Sequence, residues 1–155
     1  MEGLTALDEI EQAYRDHGTK LLRALYAYTG SVEIAEDAAA EAFAQALRSR
    51  DQIRDVEPWI WRVAFRKAAR ELRTKERSAA SEGASTYDVT EAAVDLVTAL
   101  RQLSPKQRSS IILHHYAGYP IRDVAEILGS SSGAVKVHLS VGRRRLRALL
   151  EERDG

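Results

Sequence analysis

Basic side chains in two separate blocks are the residues in this sequence best suited to bind a charged partner. Residues 62–77 carry seven bases against two acids, and residues 136–150 carry five bases and no acid. Residues 78–99, which lie between the blocks, hold four acids and no base. Lys and Arg pair with phosphate groups, so two cationic surfaces on a chain of zero net charge indicate a nucleic acid as the partner. The alternative is that each block is only a solvated helix face.

Other kinds of chemistry are disfavoured by residue type or by context. The chain has no cysteine, which excludes disulfides, thiolate metal sites and a cysteine nucleophile. Residues 129–133 fit the G-x-S-x-G nucleophile pattern but follow a helical segment instead of a strand, so we interpret Ser131 as a helix N-cap. His114 and His115 are adjacent and point about 100° apart on a helix, which suits a shared metal poorly. We therefore expect no catalytic residue, no metal, no cofactor and no enzymatic activity.

The sequence also lacks the patterns of membrane and export segments. No apolar run approaches the roughly 18 residues of a membrane span, and the acidic N-terminal segment does not resemble a signal peptide. We expect a soluble, cytoplasmic protein without membrane insertion.

Apolar residues recur at helical spacing along almost the whole chain, which predicts an all-α fold of six or seven helices. The first is expected to end at Gly30, with Gly18 as the candidate position for a bend, and the second to cover about residues 32–49. The third is expected to start at Pro58, because proline suits the first helical position. Further helices are expected at about residues 94–103 and 105–116, followed by two more from residue 121 onwards.

A small, polar segment divides the chain into two parts. Residues 78–90 contain few large apolar groups and cannot bury enough surface to offset their ordering entropy. The prediction is two small helical domains, residues 1–77 and 93–155, joined by a flexible linker over residues 78–92.

The third predicted helix places its arginines on one side. At 100° per residue, five of them fall within about 80° of arc, opposite the apolar side that carries Trp61 and Phe65. Trp59 falls on the arginine side, where contact with nucleic acid and packing are both open, whereas Trp61 is predicted to be a core residue. The arginines are Arg62, Arg66, Arg70, Arg73 and Arg77.

Residues 121–140 have the spacing of a helix-turn-helix. Ala125 is small where two helices would cross, Gly129 can take a positive φ in the turn, and Val135 is a branched apolar residue early in the second helix. An ordinary helical hairpin is the alternative, but a basic face follows the turn. We predict that base edges contact the start of the second helix and that phosphates contact its later arginines. The first set is Ser132, Gly133, Lys136, Val137 and Ser140, and the second is Arg143, Arg144 and Arg147.

The two parts together resemble the bacterial sigma factors of the extracytoplasmic-function group. Residues 100–150, beginning LRQLSPKQRSS, are similar to the family's domain four. The segments YRDHGTKLLR, IAEDAAAEAFAQAL and PWIWRVAFRKAARELR match the three helical stretches of domain two, in order. The resemblance implies that domain four binds the minus-thirty-five promoter element and that domain two binds the minus-ten element.

The resemblance also implies a set of partners and contact residues. Core RNA polymerase would bind through its clamp helices, promoter DNA would bind both domains, and an anti-sigma factor is a further partner of this family. The polymerase would contact Glu36, Asp37, Glu41, Gln45 and Arg48. Without the resemblance, the three acids among them would be interpreted as a solvated face. Residues 50–57 would form the loop that reads the minus-ten element, and the single strand would follow Trp59, Arg62, Arg66, Lys67 and Arg70.

The function implied is promoter recognition and DNA opening for transcription initiation. Two alternatives remain open: a helix-turn-helix regulator that does not touch polymerase, and a sigma-like decoy or adaptor that does not initiate transcription. Ala40 and Arg66 keep the decoy open, because the family usually has Gln and Asn there.

Pro120 replaces the usual hydroxyl cap of the helix-turn-helix, so its first helix is expected to lack a side-chain cap.

Overall fold

The computed structural model describes residues 5–77 and 90–154, without the side chains of residues 76, 77 and 154, and the all-α prediction is confirmed. Within these residues there are seven α-helices, a 3₁₀ turn at Arg50–Gln52 and a π-helical turn at Ile112–Tyr116. The α-helices are α1 (Ala6–Thr29), α2 (Val32–Arg48), α3 (Val56–Arg77), α4 (Glu91–Leu100), α5 (Pro105–Ile111), α6 (Ile121–Leu128) and α7 (Ser132–Asp154).

The N-terminal part is a three-helix unit whose helix ends follow from local sequence. Gly30 ends α1 in the left-handed region at φ 70°, and the Ser31 side chain then caps α2 by accepting from the Ile34 amide. α1 continues through Gly18, so that position does not interrupt the helix. The core between the three helices is formed by aromatic and aliphatic side chains from α1 and α3 and by the small residues Ala35, Ala38 and Ala42 of α2, which let α2 approach closely.

The C-terminal part contains the predicted helix-turn-helix. α6 and α7 are joined by a turn in which Gly129 has φ 65°, and Ala125 and Val135 are buried where the helices cross. Ser104 and Gln107 form the capping box at the start of α5. α6 begins after Pro120 without a side-chain cap, as predicted.

The two parts are in contact. α6 packs against α3, while the π-helical turn, α4 and α5 pack against α1. Their buried side chains form one continuous hydrophobic cluster. Polar contacts cross the same boundary: the Lys20 ammonium lies 3.4 Å from the Ala117 carbonyl oxygen, and the Arg108 guanidinium lies 5.1 Å from the ring centre of Tyr28. We refer to this pairing of the two parts as the closed arrangement.

Of the predicted linker, residues 78–89 lie outside the described residues. α4 starts at Glu91, where the Thr90 hydroxyl accepts from the Ala93 amide at 3.1 Å. The domain boundaries at residues 77 and 93 stay a prediction.

Candidate nucleic-acid interface

The eight residues that we predicted for α7 lie on one side of that helix. With Val135 at the centre of the buried side, they occupy about 140° of arc on the helical wheel. All eight side chains are exposed. We call this surface the recognition face: Ser132, Gly133, Lys136, Val137, Ser140, Arg143, Arg144 and Arg147.

The turn before α7 fixes how the recognition face is presented. The Ser130 amide donates to the Ala125 carbonyl oxygen at 2.8 Å, and the Ser131 hydroxyl accepts from the Ala134 amide at 3.1 Å. Ser131 is therefore the N-cap expected from the sequence. The G-x-S-x-G segment joins two helices and has no strand before it, which removes the structural context of a nucleophile elbow.

The arginines of α7 do not have equivalent surroundings. Arg143 is hydrogen-bonded to His115 Nε2 at 3.2 Å, and burial together with the charges of His114 and Arg143 lowers the pKa of His115. Arg145 lies on the opposite flank of the helix and donates to the Gln102 carbonyl oxygen at 2.9 Å. Arg145 is thus directed toward the start of α5, away from the recognition face.

The arginines of α3 form the second cationic surface. Arg66, Arg70 and Arg73 are exposed and Arg62 is half-buried, so these four side chains constitute what we call the arginine face. The Arg77 side chain lies outside the described residues. Lys67, half-buried beside this face, forms an ion pair with Glu71 one turn later at 3.0 Å.

The two tryptophans at the start of α3 have different environments. Trp61 is 1% exposed and stacks on Phe65 with ring centres 6.1 Å apart, which confirms its prediction as a core residue. Trp59 is half-buried, packs against the core and also lines a cavity beside Arg62. The packing role of Trp59 is thus observed, and its contact with nucleic acid stays a prediction.

The surface predicted to bind polymerase lies on α2. Glu36 and Asp37 are exposed, and the later three residues interact with one another. Glu41 accepts hydrogen bonds from Gln45 at 3.3 Å and from Arg48 at 3.0 Å. These bonds lower the pKa of Glu41, with the Gln45 contact as the largest cause.

Two concave surfaces lie where the two parts meet, one lined mainly by charged residues and the other mainly by apolar residues. A cavity of about 300 Å³ is enclosed by the start of α3 and by α6, with Trp59 and Arg62 facing Asp123 and Glu126. A wider, mostly apolar groove lies between α1, α4 and α7 and includes Arg143 and Arg147 at its edge. The closed arrangement therefore places part of each cationic surface beside the other part of the chain.

Sequence reasoning missed one group of residues in this region. Tyr119, which follows the π-helical turn, donates to Glu57 Oε1 at 2.9 Å. The other oxygen of Glu57 lies 2.6 Å from His17 Nε2. The three residues come from segments 40 and 62 positions apart along the chain, and no short motif in the sequence signals such a contact.

Comparison with known families agrees with this geometry in both parts of the chain. The profile of sigma-70 region 2 matches residues 13–78, and the profile of sigma-70 region 4 matches residues 93–146. This chain belongs to the sigma-70 family, in its extracytoplasmic-function group. The arginine face thus lies in region 2 of a sigma factor, and the helix-turn-helix lies in its region 4.

Curated sigma-70 relatives differ in how much of their length this chain spans. An RNA polymerase sigma-E factor of Streptomyces avermitilis is 42% identical over 74 residues, which cover 46% of this chain and 41% of the relative. The chain thus spans less than half the length of that relative. RNA polymerase sigma factor CarQ of Myxococcus xanthus is 27% identical over 95% of this chain and 92% of its own length.

Solved sigma-factor structures share the fold. The sigma factor RpoE of Bartonella quintana, solved in complex with the anti-sigma factor NepR, superposes with a TM-score of 0.79 at 22% identity, over 92% of this chain and 97% of RpoE. CnrH, solved with the cytosolic domain of CnrY, gives a TM-score of 0.75 at 21% identity, over 92% and 88% of the two chains. Among the residues described, no helix is both long and apolar enough to cross a membrane.

Proposed function

We propose that this sigma-70 family protein directs core RNA polymerase to specific promoters and takes part in opening the DNA for transcription initiation. The observation that carries the proposal is the presence of two separate cationic surfaces, one in region 2 and one in region 4. The surface in region 2 suits single-stranded DNA, and the surface in region 4 suits duplex DNA. Chemistry would belong to the polymerase in the cytoplasm, and this chain would supply placement and binding energy.

The recognition face suits duplex DNA. A helix with small residues at its start can approach base edges in the major groove, and the arginines in its following turns can reach the phosphates on either side. Val137 is 60% exposed, an unusual position for a branched apolar residue, and could contact a thymine methyl group. Lys136 is placed one residue before it and could donate to a guanine edge.

The arginine face suits a single strand. Cations spaced about one helical turn apart can follow a sugar-phosphate backbone, and Trp59 beside Arg62 offers a ring on which an unstacked base can stack. We infer that residues 50–57 contribute to reading the minus-ten element, because the 3₁₀ turn at Arg50–Gln52 lies three residues before the start of α3.

The acidic surface of α2 is the proposed contact with the polymerase clamp helices. It carries Glu36, Asp37 and Glu41 on a helix whose opposite side is packed against α1 and α3. An anti-sigma factor is a second proposed partner, since the sigma factor RpoE was solved in complex with the anti-sigma factor NepR.

Run-off transcription tests the proposal. Core polymerase from the source bacterium, with and without this chain, would be given a library of randomised promoters, and initiated transcripts would be sequenced. Transcripts that share two elements only when the chain is present would support a sigma factor. Polymerase binding without such transcripts would instead indicate the decoy or adaptor, and DNA binding without polymerase binding would indicate a helix-turn-helix regulator.

A further inference from the structure

His115 is, among the described residues, the one side chain that forms a hydrogen bond with an arginine of the recognition face. Arg143 Nη1 lies 3.2 Å from His115 Nε2. A guanidinium has donors only and keeps its proton, so the ring nitrogen must be the acceptor. His115 is therefore neutral in this contact, with its own proton on Nδ1. The lowered pKa of His115, caused first by partial burial and then by the charges of His114 and Arg143, favours the same neutral form.

The acceptor of Arg143 carries no charge, which distinguishes it from the partners of other bases. Lys67, beside the arginine face, is paired with the negative charge of Glu71. Among the described residues, no carboxylate forms an ion pair with Arg143, although Glu151 lines the same apolar groove. His115 therefore fixes the direction of the guanidinium and leaves its full positive charge available. The remaining N–H donors of that guanidinium also stay available.

Arg143 lies at the edge of the recognition face nearest the core. On the helical wheel it is about 80° from Val135, the centre of the buried side, whereas Arg144 is about 180° away. The Arg143 side chain must therefore extend along the protein surface to reach a phosphate beside the major groove. A long side chain loses rotamer freedom when it binds, and a contact already formed in the free chain lowers that loss.

The backbone and a neighbouring ring hold His115 in place. His115 lies in the π-helical turn, in which the Ala117 amide donates to the Ile112 carbonyl oxygen, five residues earlier. His114 Nδ1 lies 2.8 Å from the Tyr119 carbonyl oxygen, and because a carbonyl only accepts, His114 is the donor. The rings of His114 and His115 meet edge to face with centres 4.9 Å apart. The position of His115 is thus set from within region 4.

We propose that His115 is a positioning residue for DNA binding: its neutral imidazole directs the Arg143 guanidinium toward a phosphate of the promoter duplex without neutralising it. His115 itself does not touch the DNA. The inference rests on the proposed function, because it assigns a further residue to the duplex contact of region 4. The pairing of the two side chains can be measured in the free chain, without polymerase or DNA.

The first measurement is the tautomer of His115 in the free, full-length chain. Proton–nitrogen correlation spectra of the isotope-labelled protein near neutral pH report which imidazole nitrogen carries the proton. We expect the proton on Nδ1 of His115, and we expect Arg143→Gln to shift the Nε2 resonance. Arg144→Gln removes the same charge from the neighbouring position, on the far side of α7, and should leave that resonance unchanged. A proton on Nε2 of His115 would overturn the pairing, because that nitrogen could no longer accept.

The second measurement is the affinity of the holoenzyme for a fluorescent promoter duplex, followed by anisotropy. His115→Ala should weaken binding about fivefold, within the range for the loss of one hydrogen bond. His115→Gln keeps an acceptor oxygen at a similar reach and should restore most of the affinity. Since His115 is exposed, neither substitution removes a core side chain, and thermal unfolding of each variant checks that the fold is retained.

A double-mutant cycle determines whether His115 acts through Arg143. In an Arg143→Gln background, His115→Ala should cause no further loss of affinity, because the side chain that it directs is absent. In an Arg144→Gln background, which keeps Arg143, His115→Ala should still weaken binding about fivefold.

The outcomes separate the positioning role from the sigma function. The same loss in the Arg143→Gln background as in the natural chain would mean that His115 contacts DNA itself or supports region 4 as a whole, and the positioning role would be overturned. Unchanged affinity of His115→Ala, with promoter binding intact, would remove the positioning role and retain the sigma function. If the natural holoenzyme does not prefer a promoter duplex over an unrelated duplex, the proposed function fails, and the positioning role fails with it.

Discussion

The recognition face allows a quantitative prediction of how DNA binding depends on salt. Neutralising one phosphate with a protein cation contributes about −0.9 to the slope of log affinity against log salt. The arginines of the recognition face that we assign to phosphates are Arg143, Arg144 and Arg147, which together would account for a slope of about −2.7. Arg144→Gln should therefore make the slope of the whole complex less negative by about 0.9.

Arg145→Gln is the matched control, since it removes the same charge from the neighbouring position. Arg145 lies on the other flank of α7 and donates to the Gln102 carbonyl oxygen, so the slope should stay unchanged. Both variants would be measured as holoenzyme on a fluorescent promoter duplex, by anisotropy across a salt series. Equal changes in slope for the two variants would refute the assignment of the recognition face, because the effect would then follow net charge and not position.

Three further predictions concern packing, titration and backbone conformation. Trp61→Ala should lower the free energy of unfolding by about 3–5 kcal/mol in urea denaturation, whereas Trp59→Ala should cost clearly less because its ring is only half-buried. The raised pKa of Tyr119 means that the folded state loses stability as pH rises above about 10, where the phenol of the unfolded chain loses its proton first. Urea denaturation below and above that pH should show the loss, and less of it with Tyr119→Phe. Gly129→Ala should destabilise the turn by about 1–2 kcal/mol because φ is 65°, and Gly133→Ala, at a helical position with only a 4.0 Å contact, should not; thermal unfolding of both variants measures the difference.

Helix positions could be predicted from the sequence more reliably than helix ends. α3 was expected to begin at Pro58 and begins at Val56. Proline remains compatible there, because the first four amides of a helix have no partner within the helix and the missing N–H of proline costs nothing. α4 was placed at residues 94–103 and runs over Glu91–Leu100, since the Thr90 cap outweighs the apolar pattern.

The candidate site also contains features that the sequence predicts and one feature that it does not. The recognition face and the arginine face follow from helical periodicity, which depends only on spacing along one element. The contact of Tyr119 with Glu57 depends on a π-helical turn and on the packing of three distant segments. Periodicity carries no information on either, so this part of the site could be found only in three dimensions.

The closed arrangement brings acidic side chains of one part of the chain near basic side chains of the other. Proteins that bind DNA commonly carry excess positive charge, yet this sequence has 23 bases and 23 acids. Asp123 and Glu126 of α6 line the same cavity as Arg62 and Arg54 of region 2, and Asp123 also lies 3.7 Å from Arg122 of its own helix. Under the proposed function, DNA that binds the arginine face would compete with these carboxylates. Salt weakens the attraction of the arginines to these carboxylates as well as their attraction to DNA. The affinity for a single strand should therefore depend less on salt than the number of arginines implies. The affinity of the exposed residues of α7 for duplex DNA should keep its full salt dependence.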